Sequence, residues 1–179
     1  MCDCKAIAHH DSATGRKQFL DEHLLNVAKL AQQQAESIGL GKSAFLVGLL
    51  HDIGKADRKF QEKIQKNSRR KVNHSSAGAR VLLNLLMEYS AVSSNELSEN
   101  QKNNIGLFFE IYAYVITSHH GLYDIPTDNG SRIFFRLKYD EEVQYYFNDD
   151  VLSFLKNLEN KYSLDCTELV SEALNEFVT

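Results

Sequence analysis

Seven apolar or small residues in a row, AFLVGLL at positions 44–50, run directly into an imidazole and a carboxylate, His51 and Asp52. Such a run has no polar face to offer water, so it predicts a central, buried helix from 44 to about 53, with Ser43 as its cap. Burial carries two ionisable groups inward, and buried ionisable groups need a partner or a metal. Gly54 ends the apolar stretch. Lys55 lies one helical turn beyond His51, so its ammonium can share the pocket that the pair lines.

Adjacent histidine and aspartate often meet by chance, and a His-Asp hydrogen bond is an ordinary way to satisfy a core histidine. The remaining histidines change the odds. His23 lies beside the stripe Leu20, Leu24, Val27, Ala31, Ala35 and Ile38 of a helix predicted from about 17 to 38 and closed by Gly39 and Gly41. His74 stands just before Ser75 and Ser76, either of which can cap a helix through Val81, Leu82, Leu85, Leu86 and Tyr89. At a helix N-terminus the macrodipole disfavours protonation, leaving the neutral imidazole that a metal binds. His119 and His120 close a core helix predicted over 105–118, and Gly121 releases the chain so that the two rings can splay toward neighbouring ions. Any one of these histidines alone reads as a satisfied core or surface residue. Two pairs together, His51-Asp52 and His119-His120, put the ligand reading ahead.

Composition narrows the class. One proline, Pro126, and apolar spacing at three and four residues predict an all-α fold, and 43% apolar residues among 179 suffice for the core of one domain over 1–179. Cys2, Cys4 and Cys166 are odd in number and form no Cys-x-x-Cys pairs, which argues against a disulfide framework or a zinc ribbon. The start lacks the apolar run of a signal peptide and no segment reaches the length of a membrane span, so a cytoplasmic protein is expected.

A net charge of −4 argues against coating nucleic acid through global charge, so any such contact must be local. Residues 55–71 supply a candidate patch: Lys55, Arg58, Lys59, Lys63, Lys66, Arg69, Arg70 and Lys71 against Asp57 and Glu62, eight minus two, or +6. A solvated helix face and a binding surface explain that patch equally well. Residues 1–16, including His9 and His10, read as a solvated lead-in, 90–104 as a surface loop, 122–131 as a rim or lid, and the remainder as two or three packing helices.

Five imidazoles (His23, His51, His74, His119, His120) and one carboxylate exceed the needs of a single four-coordinate zinc and lack the thiolates of a closed structural site. Two ions are the natural complement, with Asp52 bridging. Imidazole with carboxylate suits manganese, iron, cobalt, nickel or zinc. Two such divalent ions clamp a phosphoryl oxygen and generate a nucleophile from water, which fits phosphoester hydrolysis, with Lys55 neutralising charge that grows on the phosphate. No nucleophile elbow, Walker loop or dinucleotide fingerprint competes.

In the segments Asp21-Glu22-His23-Leu24-Leu25-Asn26-Val27-Ala28, Gly48-Leu49-Leu50-His51-Asp52-Ile53-Gly54-Lys55, Asn73-His74-Ser75 and Ser118-His119-His120-Gly121, the chain resembles the HD superfamily of metal-dependent phosphohydrolases. More closely, it resembles the HD nuclease domain of the CRISPR-associated helicase-nuclease of type I systems. Ala8-His9 also echoes an alanine-histidine near the start of that family. Each segment is short, and they are specific in combination.

The resemblance implies an all-α HD-domain helical bundle with a central binuclear metal site and metal-dependent cleavage of single-stranded DNA in CRISPR interference. It implies His23, His51, Asp52, His74, His119 and His120 as ligands, Asp52 and Lys55 as catalytic groups, and Lys55, Arg58, Lys59 and Lys63 against nucleic acid. A helicase domain or subunit and a CRISPR RNA-guided surveillance complex are the implied partners. One feature departs from the family: its further metal-binding aspartate on a late helix has no match, since 169–179 offers only Glu172 and Glu176. The expectation is a chain that stops before the family's last helices, with the helicase motor on a separate chain or a further region. Two other readings share these residues. One is an HD nucleotidase or cyclic-dinucleotide phosphodiesterase acting on a small phosphate ester, and the other is a binding module whose metal only stabilises the fold.

Overall fold

The computed structural model describes residues 6–66, 74–93, 97–119 and 147–178. Helix α1 (Leu20–Ala35) turns Leu20, Leu24 and Ala28 inward, against α2 (Gly41–Leu50). The two approach closely because position 48 has no side chain: a Cβ on Gly48 would lie 2.7 Å from the Cα of Ala28. That crossing sets His23 of α1 beside the C-terminal end of α2. A 3₁₀ turn, Ile53–Ala56, leads into α3 (Arg58–Gln65). Asp57 caps α3 by accepting the backbone N–H groups of Lys59 (2.8 Å) and Phe60 (3.2 Å).

Helices α4 (Ser75–Ser93) and α5 (Glu99–Thr117) pack on one another, followed by α6 (Asp149–Tyr162) and α7 (Cys166–Val178). Helix α7 covers α2 and α4. Leu24, Leu46, Leu49, Leu50, Ile53, Leu82, Phe108 and Ile116 are fully buried, so α2 forms the middle of an all-α core, as its unbroken apolar run requires. Cys166 lies in that core, where burial pushes its thiol up and leaves it inert. No helix among the described residues is long and apolar enough to cross a membrane.

Several boundaries differ from the sequence reading. Residues 7–19 are not an irregular lead-in: β1 (Ile7–His10) pairs antiparallel with β2 (Lys17–Phe19), and α1 starts at Leu20 because 17–19 are engaged in that hairpin. Ser43 is not the cap of α2. It lies inside the helix, its hydroxyl donates to the Ala173 carbonyl (3.2 Å), and the first N–H groups are received by Glu176 of α7 instead. Helix α2 ends at Leu50, with His51 as its C-cap. The polar stretch 90–104 is largely helical, with α4 reaching Ser93 and α5 starting at Glu99. There Ser98 and Gln101 form a capping box, and the first turn of α5 is exposed. The rim or lid at 122–131 and the apolar spacing over 133–146 lie outside the described residues.

Candidate metal centre

Four elements deliver imidazoles to one carboxylate. Asp52, 3% exposed, sits just past the end of α2. Around its Oδ2 stand His23 Nε2 and His51 Nε2, each at 3.2 Å, and Lys55 Nζ at 2.7 Å. Around its Oδ1 stand His74 Nε2 at 3.1 Å and His119 Nε2 at 3.3 Å. His23 comes from α1, His51 from the C-cap of α2, His74 from the residue before α4 and His119 from the end of α5. Position 54 holds the entry of α4 in place: a Cβ on Gly54 would collide with the His74 carbonyl oxygen, so only glycine lets that backbone come so near.

Two backbone carbonyls orient the rings. His51 Nδ1 donates to the Gly48 carbonyl (2.7 Å) and His119 Nδ1 to the Ile116 carbonyl (2.6 Å). A carbonyl oxygen only accepts, so each neutral ring keeps its proton on Nδ1 and turns an Nε2 lone pair toward Asp52. His23 Nε2 lies 3.3 Å from His51 Nε2. It also lies 3.2 Å from Asp52 Oδ2, so a proton on His23 Nε2, or a cation in its place, is what joins these three atoms.

The carboxylate is also incompletely satisfied. Burial alone would raise the Asp52 carboxyl, but hydrogen bonds from the ring nitrogens of His119, His23, His51 and His74, wherever those nitrogens carry a proton, outweigh it and hold the group far below the ordinary carboxylate range. Among the described residues its Oδ1 is nonetheless buried without a hydrogen-bond partner, although the His74 and His119 nitrogens stand at 3.1 and 3.3 Å. A buried, charged oxygen left in that state has the character of an open coordination position. Asp52, His74 and His119 offer ligand atoms that all lie within 4.8 Å of one another, and these donors fit a divalent metal.

His23, His51, Asp52, Lys55, His74 and His119 are thus brought together. His120 lies outside the described residues, as do Arg69, Arg70 and Lys71 of the basic run. Lys55 is 4% exposed, with its ammonium against Asp52 and at 3.4 Å from the Ala8 carbonyl. Arg58 pairs with Asp150 of α6 (3.6 Å). Lys59, Lys63 and Lys66 recur at four and three residues, along one side of α3. Lys63 Nζ stands 5.3 Å from the centre of the Phe60 ring, which meets His74 edge-on at 4.8 Å, so this basic side adjoins the imidazole cluster. The late carboxylates lie elsewhere. Glu176 accepts from the N–H groups of Lys42 (2.8 Å) and Ser43 (2.9 Å), and Glu172 binds the Lys42 ammonium (2.9 Å), at the opposite end of α2. The sequence reading assigned His9 to a solvated lead-in, but its ring centroid lies 5.0 Å from that of His23. Its only signal is the dipeptide Ala8-His9.

The HD domain family model matches residues 20–153, a span that contains every one of these ligand candidates except His9. No curated protein and no solved structure matches. A match over well more than half of the chain, on an all-α fold with a histidine–aspartate cluster, shows that this chain belongs to the HD domain family, which marks it as a metal-dependent hydrolase of the phosphohydrolase type.

Proposed function

We propose that the chain is a phosphodiesterase that cleaves single-stranded DNA, the HD nuclease part of a CRISPR interference system. The observation that carries the reading is the convergence on Asp52 of His23, His51, His74 and His119, with the basic side of α3 next to it. In this reading the imidazoles, with His120, and the Asp52 carboxylate would hold two divalent ions. Bound ions supply Lewis acidity and a water-derived nucleophile at neutral pH. The chain's own groups do the rest. The Gly48 and Ile116 carbonyls keep Nε2 of His51 and His119 available as ligand atoms. Lys55 holds Asp52 and brings a positive charge close to the reacting phosphate. Lys59 and Lys63 attract the phosphate backbone, an interaction that weakens as salt rises. A helicase domain or subunit, a CRISPR RNA-guided surveillance complex and a cytoplasmic location belong to the same proposal and rest on the resemblance.

One observation favours a small phosphate ester instead. The groove between α3 and α6 is lined by Asp57, Glu62, Asp149 and Asp150 against Arg58 and Lys59, which repels a polyanion on that side. Manganese-loaded protein incubated with labelled single strands, duplexes, mononucleotides and cyclic dinucleotides separates the two. The reading predicts cleavage of single strands that Asp52→Ala abolishes. Hydrolysis of nucleotides with single strands left intact would reject it in favour of the small ester.

A further inference from the structure

We propose that His9, carried in on the N-terminal hairpin, is a ligand to the divalent ion on the His23 side of Asp52. The inference rests on the metal-dependent reading of the site. His9, His23 and Asp52 offer ligand atoms that all lie within 4.8 Å of one another, a second group that shares Asp52 with the His74–His119 group. The two groups place one carboxylate between two sets of imidazoles.

The hairpin is built to hold that position. Gln61 of α3 accepts from Ile7 N–H (2.8 Å) and donates to the Ile7 carbonyl (3.0 Å) and the Lys55 carbonyl (2.6 Å), tying the strand to the turn that follows Asp52. Lys55 Nζ donates to the next carbonyl, that of Ala8 (3.4 Å), and Leu20 N–H to that of Ala6 (2.8 Å). The strand register is irregular between Ile7 and His9, so Ala8 is an extra residue and the alternation of faces is broken at that point. Ile7 and Ala8 are both buried, and the ring of His9 meets that of His23 at an interplanar angle of 80°. Backbone is therefore pinned on either side of position 8, and the next side chain is aimed at the site.

Among the described residues, His9 joins His23 and Asp52 in such a set, and the acids of the last helix are committed elsewhere. Glu172 and Glu176, the only acids of the last helix besides Glu168, hold Lys42 and the first N–H groups of α2. A ten-residue helix places that end about 15 Å from His51. His10, the adjacent residue of β1, belongs to neither ligand group and serves as the control.

Cobalt(II) titration of the full chain, followed by calorimetry and visible absorption, tests the assignment. Wild type and His10→Ala are expected to bind cobalt alike. His9→Ala and His9→Gln are expected to weaken at least one cobalt-binding event by about tenfold or more, the lower edge of what even outer-shell partners cost, and to alter the cobalt absorption band. Gln61→Ala, which loosens the strand without removing a ligand, weakens the same event and no other. Wild-type affinity and an unchanged band in both His9 variants would overturn the proposal while leaving the metal site itself standing. A wild-type chain that takes up no cobalt overturns both.

Discussion

The two ends of α2 both carry charge, and they are finished differently. At the N-terminal end each polar atom has a partner: Glu176 receives the Lys42 and Ser43 N–H groups, and Glu172 receives the Lys42 ammonium. At the C-terminal end a buried carboxylate gathers imidazoles from four elements and, among the described residues, keeps one oxygen without a hydrogen-bond partner. Satisfied groups that join two helices are structural. A buried charge whose neighbours stop short of satisfying it is a place kept for something else, and its donor set names a cation.

That contrast breaks most readily at Asp52. Asp52→Ala is expected to lower kcat/KM by about a thousandfold or more, since metal Lewis acidity contributes several kcal/mol to such reactions. It also strands the buried Lys55 ammonium at a cost of about 3 kcal/mol. Adding Lys55→Met is expected to restore most of that stability and none of the activity, as read by urea melts alongside turnover. If the double variant were no more stable than the single one, an uncompensated Lys55 charge would not be what makes Asp52→Ala costly.

Gly54→Ala sharpens the same point through the backbone. A methyl group there meets the His74 carbonyl, so α4 must shift, at a cost of about 2 kcal/mol, and His74 moves with it. Manganese affinity falls alongside the urea midpoint. Unchanged metal affinity with reduced stability would separate His74 from the site.

The opposite end supplies the converse. Glu176→Ala removes a cap and is expected to cost about 1 kcal/mol, with kcat and metal affinity unchanged. A loss of turnover at saturating manganese would erase the distinction between the two ends. The smallest effect concerns Asp21 in the first turn of α1. Burial alone would raise its carboxyl, but the Lys161 ammonium, the Glu22 N–H and the Tyr162 hydroxyl hold it below the ordinary value. A depressed carboxyl adds stability that is present above the unfolded pKa, about 3.9, and is lost as pH falls toward the folded one. With Lys161 half exposed, screening leaves about 0.5 kcal/mol. Asp21→Asn is expected to lower Tm at pH 7, by a margin that narrows as pH falls below the unfolded carboxyl value. A margin independent of pH would assign the effect to helix propensity.

Much of this was legible in the chain. Apolar spacing locates α1, α2 and α4 to within a few residues, because each buries a continuous stripe. His23, His51, His74 and His119 are recognisable together, since one lies on a helix's apolar side and the other three fall at or beside helix ends around one unbroken apolar run. The hairpin is not legible: strands of four and three residues are too short to alternate, and the irregularity at Ile7–His9 breaks what alternation there is. His9 is near the site only in space, through Gln61, and sequence spacing carries no trace of that link. The start of α5 is hidden by polar residues on an exposed turn, although Ser98 and Gln101, three apart, spell a capping box. The commitment of Glu172 and Glu176 to the far end of α2 is tertiary, and only the packing of α7 reveals it.

The central claim is that the carboxylate of Asp52 and its ring of imidazoles exist to hold divalent metal. Elemental analysis after manganese loading and exhaustive dialysis tests it most directly. Stoichiometric metal is expected on the wild-type chain and none on Asp52→Ala. A wild-type chain that retains no manganese, or an Asp52→Ala chain that retains as much, would contradict it.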